Sequence, residues 1–391
     1  MKVMKTRILF VLTVAFIFAQ NVVVTAYPVV YLRVEDVPIQ WIGIIVALCV
    51  GLSAILQPLS GRLIDRFPRL NWRNQGIFIS LVIIALCIIN IESPENSWPE
   101  VFTFYFFLIL SPILSSFVST ATFQYCESGV NINFGMIRGT GAAAFGVFSF
   151  LLGHIVAETS PRAIFFYILV TSIVMLIFIM LIQPPKFHAA EKKSKTERPS
   201  LRDFIRRHPV FVLMIISLTM FFFQHTIIET YFINIIELKG GTQHDLGNLG
   251  SLAAIIELGP MFLFSRMMKK ISVYKLYYIG AIGYVLRAFT YFLAPDMTIL
   301  YVAHCMQLFS FAFIAPACSY ISDAEMAEDE KAFGQAITAG TNFIGICLSG
   351  IVGGQLIFLF NVEAIMIAGI VASLLGFFFA TLMLYKKSQV K

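Results

Sequence analysis

The sequence predicts an all-α membrane protein of twelve transmembrane helices in two halves of six, and three observations carry that prediction. Apolar residues make up 58% of the chain and charged residues only 13%, with a mean hydropathy of +0.84. A soluble domain carries about 25% charged residues, so this chain is short of groups to cover a water-facing surface. Its apolar residues fall in runs long enough to cross a bilayer. The basic residues collect in every second gap between those runs. At roughly 20 residues per span plus short connections, 391 residues hold about twelve spans.

In chain order, the first run, 8–32, is too long for a signal-peptide core and lacks a small-residue cleavage site, so it reads as span one. Span two, 41–60, leads into the basic sequence GRLIDRF, read as a loop over Gly61 to Phe67. Spans three to six occupy 75–92, 98–123, 136–157 and 162–184. The one long polar stretch follows, ending in AEKKSKTERPSLRDFIRRH. Spans seven and eight, 208–237 and 247–268, are followed by SRMMKK, a second short basic loop that matches the one after span two. Spans nine to twelve take 273–293, 298–322, 332–357 and 361–385. Each is expected to be helical, because a helix satisfies its backbone groups internally where no water is available. Pro28, Pro58, Pro112, Pro260 and Pro316 lie inside spans and are expected to kink them. The boundaries that follow are an N-terminal half 1–185, a cytoplasmic linker 186–207 and a C-terminal half 208–391.

Placing both termini in the cytoplasm puts all but five of the 28 Lys and Arg residues there; the exceptions are Arg33, Arg138, Arg162, Lys239 and Arg287. That asymmetry is the one the positive-inside rule demands, and it predicts a multi-pass protein of the cytoplasmic membrane. The net charge of +6 does not indicate a nucleic-acid partner, since the positive residues sit between apolar runs and form no basic stripe. The six cysteines lie in or beside apolar runs without CxxC spacing and read as packing residues. No GxxxxGK[ST], HExxH or GxSxG motif occurs, so no enzyme activity, catalytic residue, metal or cofactor is expected. The partners implied are lipid, a small-molecule substrate and protons. A complete two-half bundle is expected to work as a monomer.

An ionisable group deep in a span costs roughly 2.5–3.5 kcal/mol on insertion scales, which makes it a candidate for function. Glu257 lies in the middle of span eight and Arg287 past the middle of span nine. His304 and Gln307 are spaced i and i+3 on span ten, and His225 and Glu229 i and i+4 on span seven, so each pair is expected to share a helix face. Arg138 opens span five and is followed by small residues that permit close helix approach. Asp65 with Arg66 reads as a conformational loop device, and the acidic run 323–330 as a solvated loop. Two six-span halves joined by a linker suggest alternating access about a midplane site.

With those residues identified, the chain resembles the lactose-permease and phenylpropionate-permease branch of the major facilitator superfamily over almost its whole length. GIIVALCVGLSAILQPLSGRLIDRF is similar to that branch's second span and loop signature, with Gly61, Asp65 and Arg66 in the motif positions. NFGMIRGTG resembles the segment that carries the substrate-site arginine of sugar permeases, which implies this part for Arg138, with Phe145 as the aromatic that stacks on a sugar ring. Glu257, Arg287 and His304 fall in the order of that branch's glutamate, arginine and histidine, and His225 matches a histidine of phenylpropionate-type members. Gln307 stands where lactose permeases carry a glutamate, while Thr120, Thr226, Tyr301 and Asn342 stand at positions charged in those permeases. The resemblance implies a proton symporter for a sugar or organic acid. Arg138, Phe145, Glu257 and His225 would hold the solute, and Glu257, Arg287, His304, Gln307 and Glu229 would couple the proton. Two other readings are an efflux antiporter on the same fold and a membrane-embedded sensor that does not transport.

Overall fold

The computed structural model describes residues 2–66, 71–127, 134–182, 201–328 and 330–389. Among them, twelve helices are long and apolar enough to span a membrane. The first half runs α1 (Lys2–Ala26), α2 (Pro28–Val34), α3 (Ile39–Arg66), α4 (Trp72–Glu92), α5 (Trp98–Glu127), α6 (Phe134–Glu158) and α7 (Ala163–Leu181). The second runs α8 (Leu201–Arg207), α9 (Pro209–Thr230), α10 (Phe232–Leu238), α11 (Gln243–Met267), α12 (Val273–Leu293), α13 (Met297–Cys305), α14 (Phe311–Glu325), α15 (Lys331–Leu359) and α16 (Val362–Gln389). Most of the predicted linker lies outside the described residues; its last part, Leu201–Arg207, is α8.

Three predicted spans are not single helices. Span one bends at Tyr27, because Pro28 brings no N–H to the ladder, and resumes as α2. Span seven bends at Tyr231 without any proline. Here the Tyr231 ring lies against Gly353 of α15, where a side chain would collide with it, and its hydroxyl lies 3.4 Å from the Gly350 carbonyl. Span ten is broken by a 3₁₀ turn, Met306–Leu308, before α14 begins. The predicted loop over Gly61 to Phe67 is also corrected, since α3 continues through Arg66. Its leucine, isoleucine and arginines are competent helix formers, and the first proline comes only at Pro68. The side chains of Gly61, Asp65 and Arg66 lie outside the described residues.

The described helices group into two compact units. One holds α1–α7 with Thr242–Ala254 from the start of α11; the other holds α8–α10 and everything from Ile255 onward. In the first unit, the rings of Phe10, Trp72 and Tyr125 fill the interior at one end, with centroids 5.3–6.2 Å apart. Tyr31, Phe104 and Phe165 do so at the other. The first turns of α11 cross α6 at Gly153 and Gly247: a Cβ built on Gly153 would stand 2.5 Å from the Gly247 Cα, so both positions must lack a side chain. In the second unit, Phe221 stacks on Tyr284 at 4.7 Å within a core shared by α9, α12, α14 and α16. Outward-facing residues of these helices are apolar, with Leu48, Phe78 and Phe262 at 68%, 67% and 66% exposure, as lipid contact requires.

The acidic run 323–330 is not the solvated loop expected of it. α14 carries its helix to Glu325, whose carboxylate takes Lys387 Nζ at 2.6 Å and the Tyr274 hydroxyl. Glu330 accepts from Arg207 at 3.2 Å and from His208 Nε2 at 2.8 Å, while His208 Nδ1 lies 2.9 Å from the Glu325 carbonyl. Among the described acidic residues of the run, Asp323 and Glu328 keep substantial solvent contact. The cationic ends of α8 and α16 supply the counter-charges that draw the run inward.

Candidate functional site

The second unit joins Arg287, Glu229, His225, Tyr291 and His304 into a connected cluster. Arg287, on α12, has no exposed surface, and its guanidinium is the hub. Nη2 donates to Glu229 Oε1 at 3.2 Å and to the Tyr291 hydroxyl at 3.2 Å, and Nη1 lies 3.3 Å from His225 Nδ1. His225 and Glu229 reach the same arginine because they lie one turn apart on α9. Tyr291 lies one turn beyond Arg287 on α12, and its hydroxyl is 2.6 Å from Nδ1 of buried His304 on α13. Aromatic faces fix the two imidazoles: His225 stacks on Phe311 at 4.8 Å and His304 on Phe232 at 4.9 Å.

The predicted pairing of His225 with Glu229 on one face is therefore found, with Arg287 between them and α12. His304 and Gln307 are a different matter. The helix gives way to the 3₁₀ turn between them, so they serve different partners: His304 meets Tyr291, and the Gln307 amide donates to the Glu257 carboxylate of α11. Glu257 thus pairs with Gln307 and is half-buried. In the first unit, Phe145 is half-buried on α6. Arg138 belongs to the same helix, and its side chain lies outside the described residues, as does that of Thr120. A guanidinium, a carboxylate and two imidazoles, one against the guanidinium and one against the Tyr291 hydroxyl, thus stand together within the spans.

A second cluster, in the first unit, went unnoticed in the sequence. Arg162, just before α7, pairs with Glu35 at 3.4 Å, with Glu100 at 3.6 Å and with Glu95. The Glu35 and Glu100 side chains are almost fully buried, while Glu95 is exposed. Burial pushes the Glu35 carboxyl up to about 7, with the neighbouring Glu100 adding to the shift and Arg162 opposing it. Beside it, the Asn90 amide reaches the Tyr31 hydroxyl at 3.0 Å and Thr103 at 2.9 Å. Nothing in the sequence marks these residues, because charges between apolar runs or at their first turn are ordinary.

Solved structures share this fold. The nucleoside transporter NupG matches with a TM-score of 0.75 at 14% identity, over 98% of this chain and 99% of that one. The human organic anion transporter MFSD10 matches with a TM-score of 0.66 at 11% identity, over 97% of this chain and all of the other. At these identities the likeness establishes the fold alone. The model of the MFS_1 like family matches residues 10–368, and the chain belongs to that family. An uncharacterized transporter of Bacillus subtilis (strain 168), YwbF, is 23% identical over 284 residues, spanning 71% of this chain and 67% of the relative. The protein is accordingly a membrane transporter of the major facilitator type, and its family is one of transporters, not enzymes.

Proposed function

We propose that the protein is a proton-coupled symporter that brings a small polar or aromatic solute, a sugar or an organic acid, across the cytoplasmic membrane by alternating access. Both termini and the linker 186–207 would lie on the cytoplasmic side, as the distribution of Lys and Arg supports. The observation that carries the reading is Arg287. A fully buried guanidinium within a span, shared by Glu229, His225 and Tyr291, is costly to keep for structure alone and is suited to coupling charge to conformation.

Glu257 is assigned the travelling proton. Its carboxylate lies half-buried within a span and accepts from the Gln307 amide, and an ionisable group is costly to keep there for structure alone. Arg138, Phe145 and His225 join Glu257 in holding the solute, as the lactose-permease resemblance implies.

Purified protein in proteoliposomes is to be tested with labelled sugars, aromatic acids and, given the likeness to NupG, nucleosides. Symport predicts accumulation of at least one of them when the outside is acidic, and none when the gradient is reversed. Uptake driven only by the reversed gradient would make the protein an antiporter.

A further inference from the structure

Tyr291 joins two groups already assigned to coupling, and its chemistry constrains one of them. It is fully buried on α12, with Arg287 Nη2 at 3.2 Å from its hydroxyl oxygen and His304 Nδ1 at 2.6 Å. A guanidinium carries donors only, so the Tyr291 oxygen must accept from Arg287, and the hydroxyl proton is left for the other neighbour. That neighbour is Nδ1. It must therefore accept, and the neutral ring carries its own proton on Nε2. The reverse arrangement keeps both contacts but strands the phenolic donor between two donors. A proton on Nδ1 would make the hydroxyl oxygen accept twice, and the phenolic proton would then point at neither partner. Phe232 holds the geometry by stacking on His304 with a 17° interplanar angle and meeting Tyr291 edge-on at 6.0 Å.

We propose that Tyr291 is a positioning residue that links Arg287 to His304, keeping His304 in its Nε2–H form for as long as Arg287 donates to the Tyr291 hydroxyl. If Arg287 withdraws, the hydroxyl oxygen is free to accept, and Nδ1 becomes able to carry a proton. The place of the arginine on one helix is thus reported as the tautomer of a histidine on the next. The consequence for transport rests on the proton-coupling reading above; the tautomer does not.

The chain has six histidines, so protein labelled with nitrogen-15 histidine in nanodiscs gives a spectrum in which ring nitrogens can be separated, and His304→Gln assigns the His304 signals. In the wild type an excess of about tenfold of the Nε2–H form over Nδ1–H is expected, of the order one buried hydrogen bond supplies. In Tyr291→Phe that excess should fall to about twofold or less, with the His225 signals retained. A wild-type His304 carrying its proton on Nδ1 overturns the proposal even if Tyr291→Phe does not fold, and so does an unchanged excess in the variant. Absence of proton-driven uptake beside the expected tautomer would remove the coupling reading and leave this assignment in place.

Discussion

Removing one partner of a buried ion pair costs about 3–5 kcal/mol, because the charge left behind has nothing to compensate it, whereas replacing both with apolar groups is far less damaging. Arg287, fully buried, and Glu229, partly buried, form such a pair at 3.2 Å, with the lower end of that range expected. Arg287→Met alone should therefore lower the thermal midpoint in detergent more than Arg287→Met combined with Glu229→Leu; losses that simply add would show that the pair is not coupled. Glu35 gives a pH dependence of the opposite sense to most carboxylates. Its value in the folded protein, about 7, exceeds its ordinary 4.5, so the folded chain binds the proton more tightly than the unfolded one. That stabilisation is complete below the ordinary value and fades as pH rises through about 7. The thermal midpoint should fall between about pH 5 and about pH 8, and Glu35→Gln, which keeps a neutral side chain, should flatten that slope. An identical slope in Glu35→Gln would assign the dependence to other groups. At this scale the sequence was readable where chemistry clashes with surroundings: Glu229, Glu257, Arg287 and His304 stand out because charge or imidazole within an apolar run is expensive. Tyr291 was hidden in the aromatic run AFTYF, and Glu35 meets Arg162 from 127 positions away.

Among elements, the apolar runs located the spans but not their interruptions. Composition reports which residues can face lipid and is silent on where the backbone ladder bends. Pro28 gave a covalent signal for the bend in span one; the bend at Tyr231 and the 3₁₀ turn at Met306–Leu308 had none, since their causes are ring packing and tertiary contacts. The acidic run 323–330 failed for the related reason that its counter-charges come from distant helix ends. His208 illustrates the result. Its two ring nitrogens face the Glu325 carbonyl and the Glu330 carboxylate. The ring ties the start of α9 to both ends of the turn between α14 and α15. His208→Ala should remove about 1–3 kcal/mol of local stability and raise amide exchange in that turn over the wild type, with α16 little affected. Unchanged exchange there would mean that Arg207 and Lys387 hold the turn without it.

For the whole molecule, twelve spans followed from hydropathy and charge placement, because both are imposed by the bilayer and not by fine packing, whereas the major facilitator architecture was implied by the resemblance that GRLIDRF, Arg138, Glu257, Arg287 and His304 carry. What the solute is does not follow, since specificity depends on a few side-chain positions that run length and charge count do not encode. The central claim is that solute movement carries a proton through the Glu257 carboxylate. In proteoliposomes with a pH-sensitive dye inside, no initial pH gradient and a solute gradient imposed inward, the account predicts that the interior acidifies in the wild type. It further predicts that Glu257→Gln still moves solute down its gradient with no acidification. Solute entry without acidification in the wild type, or full acidification in Glu257→Gln, would contradict it.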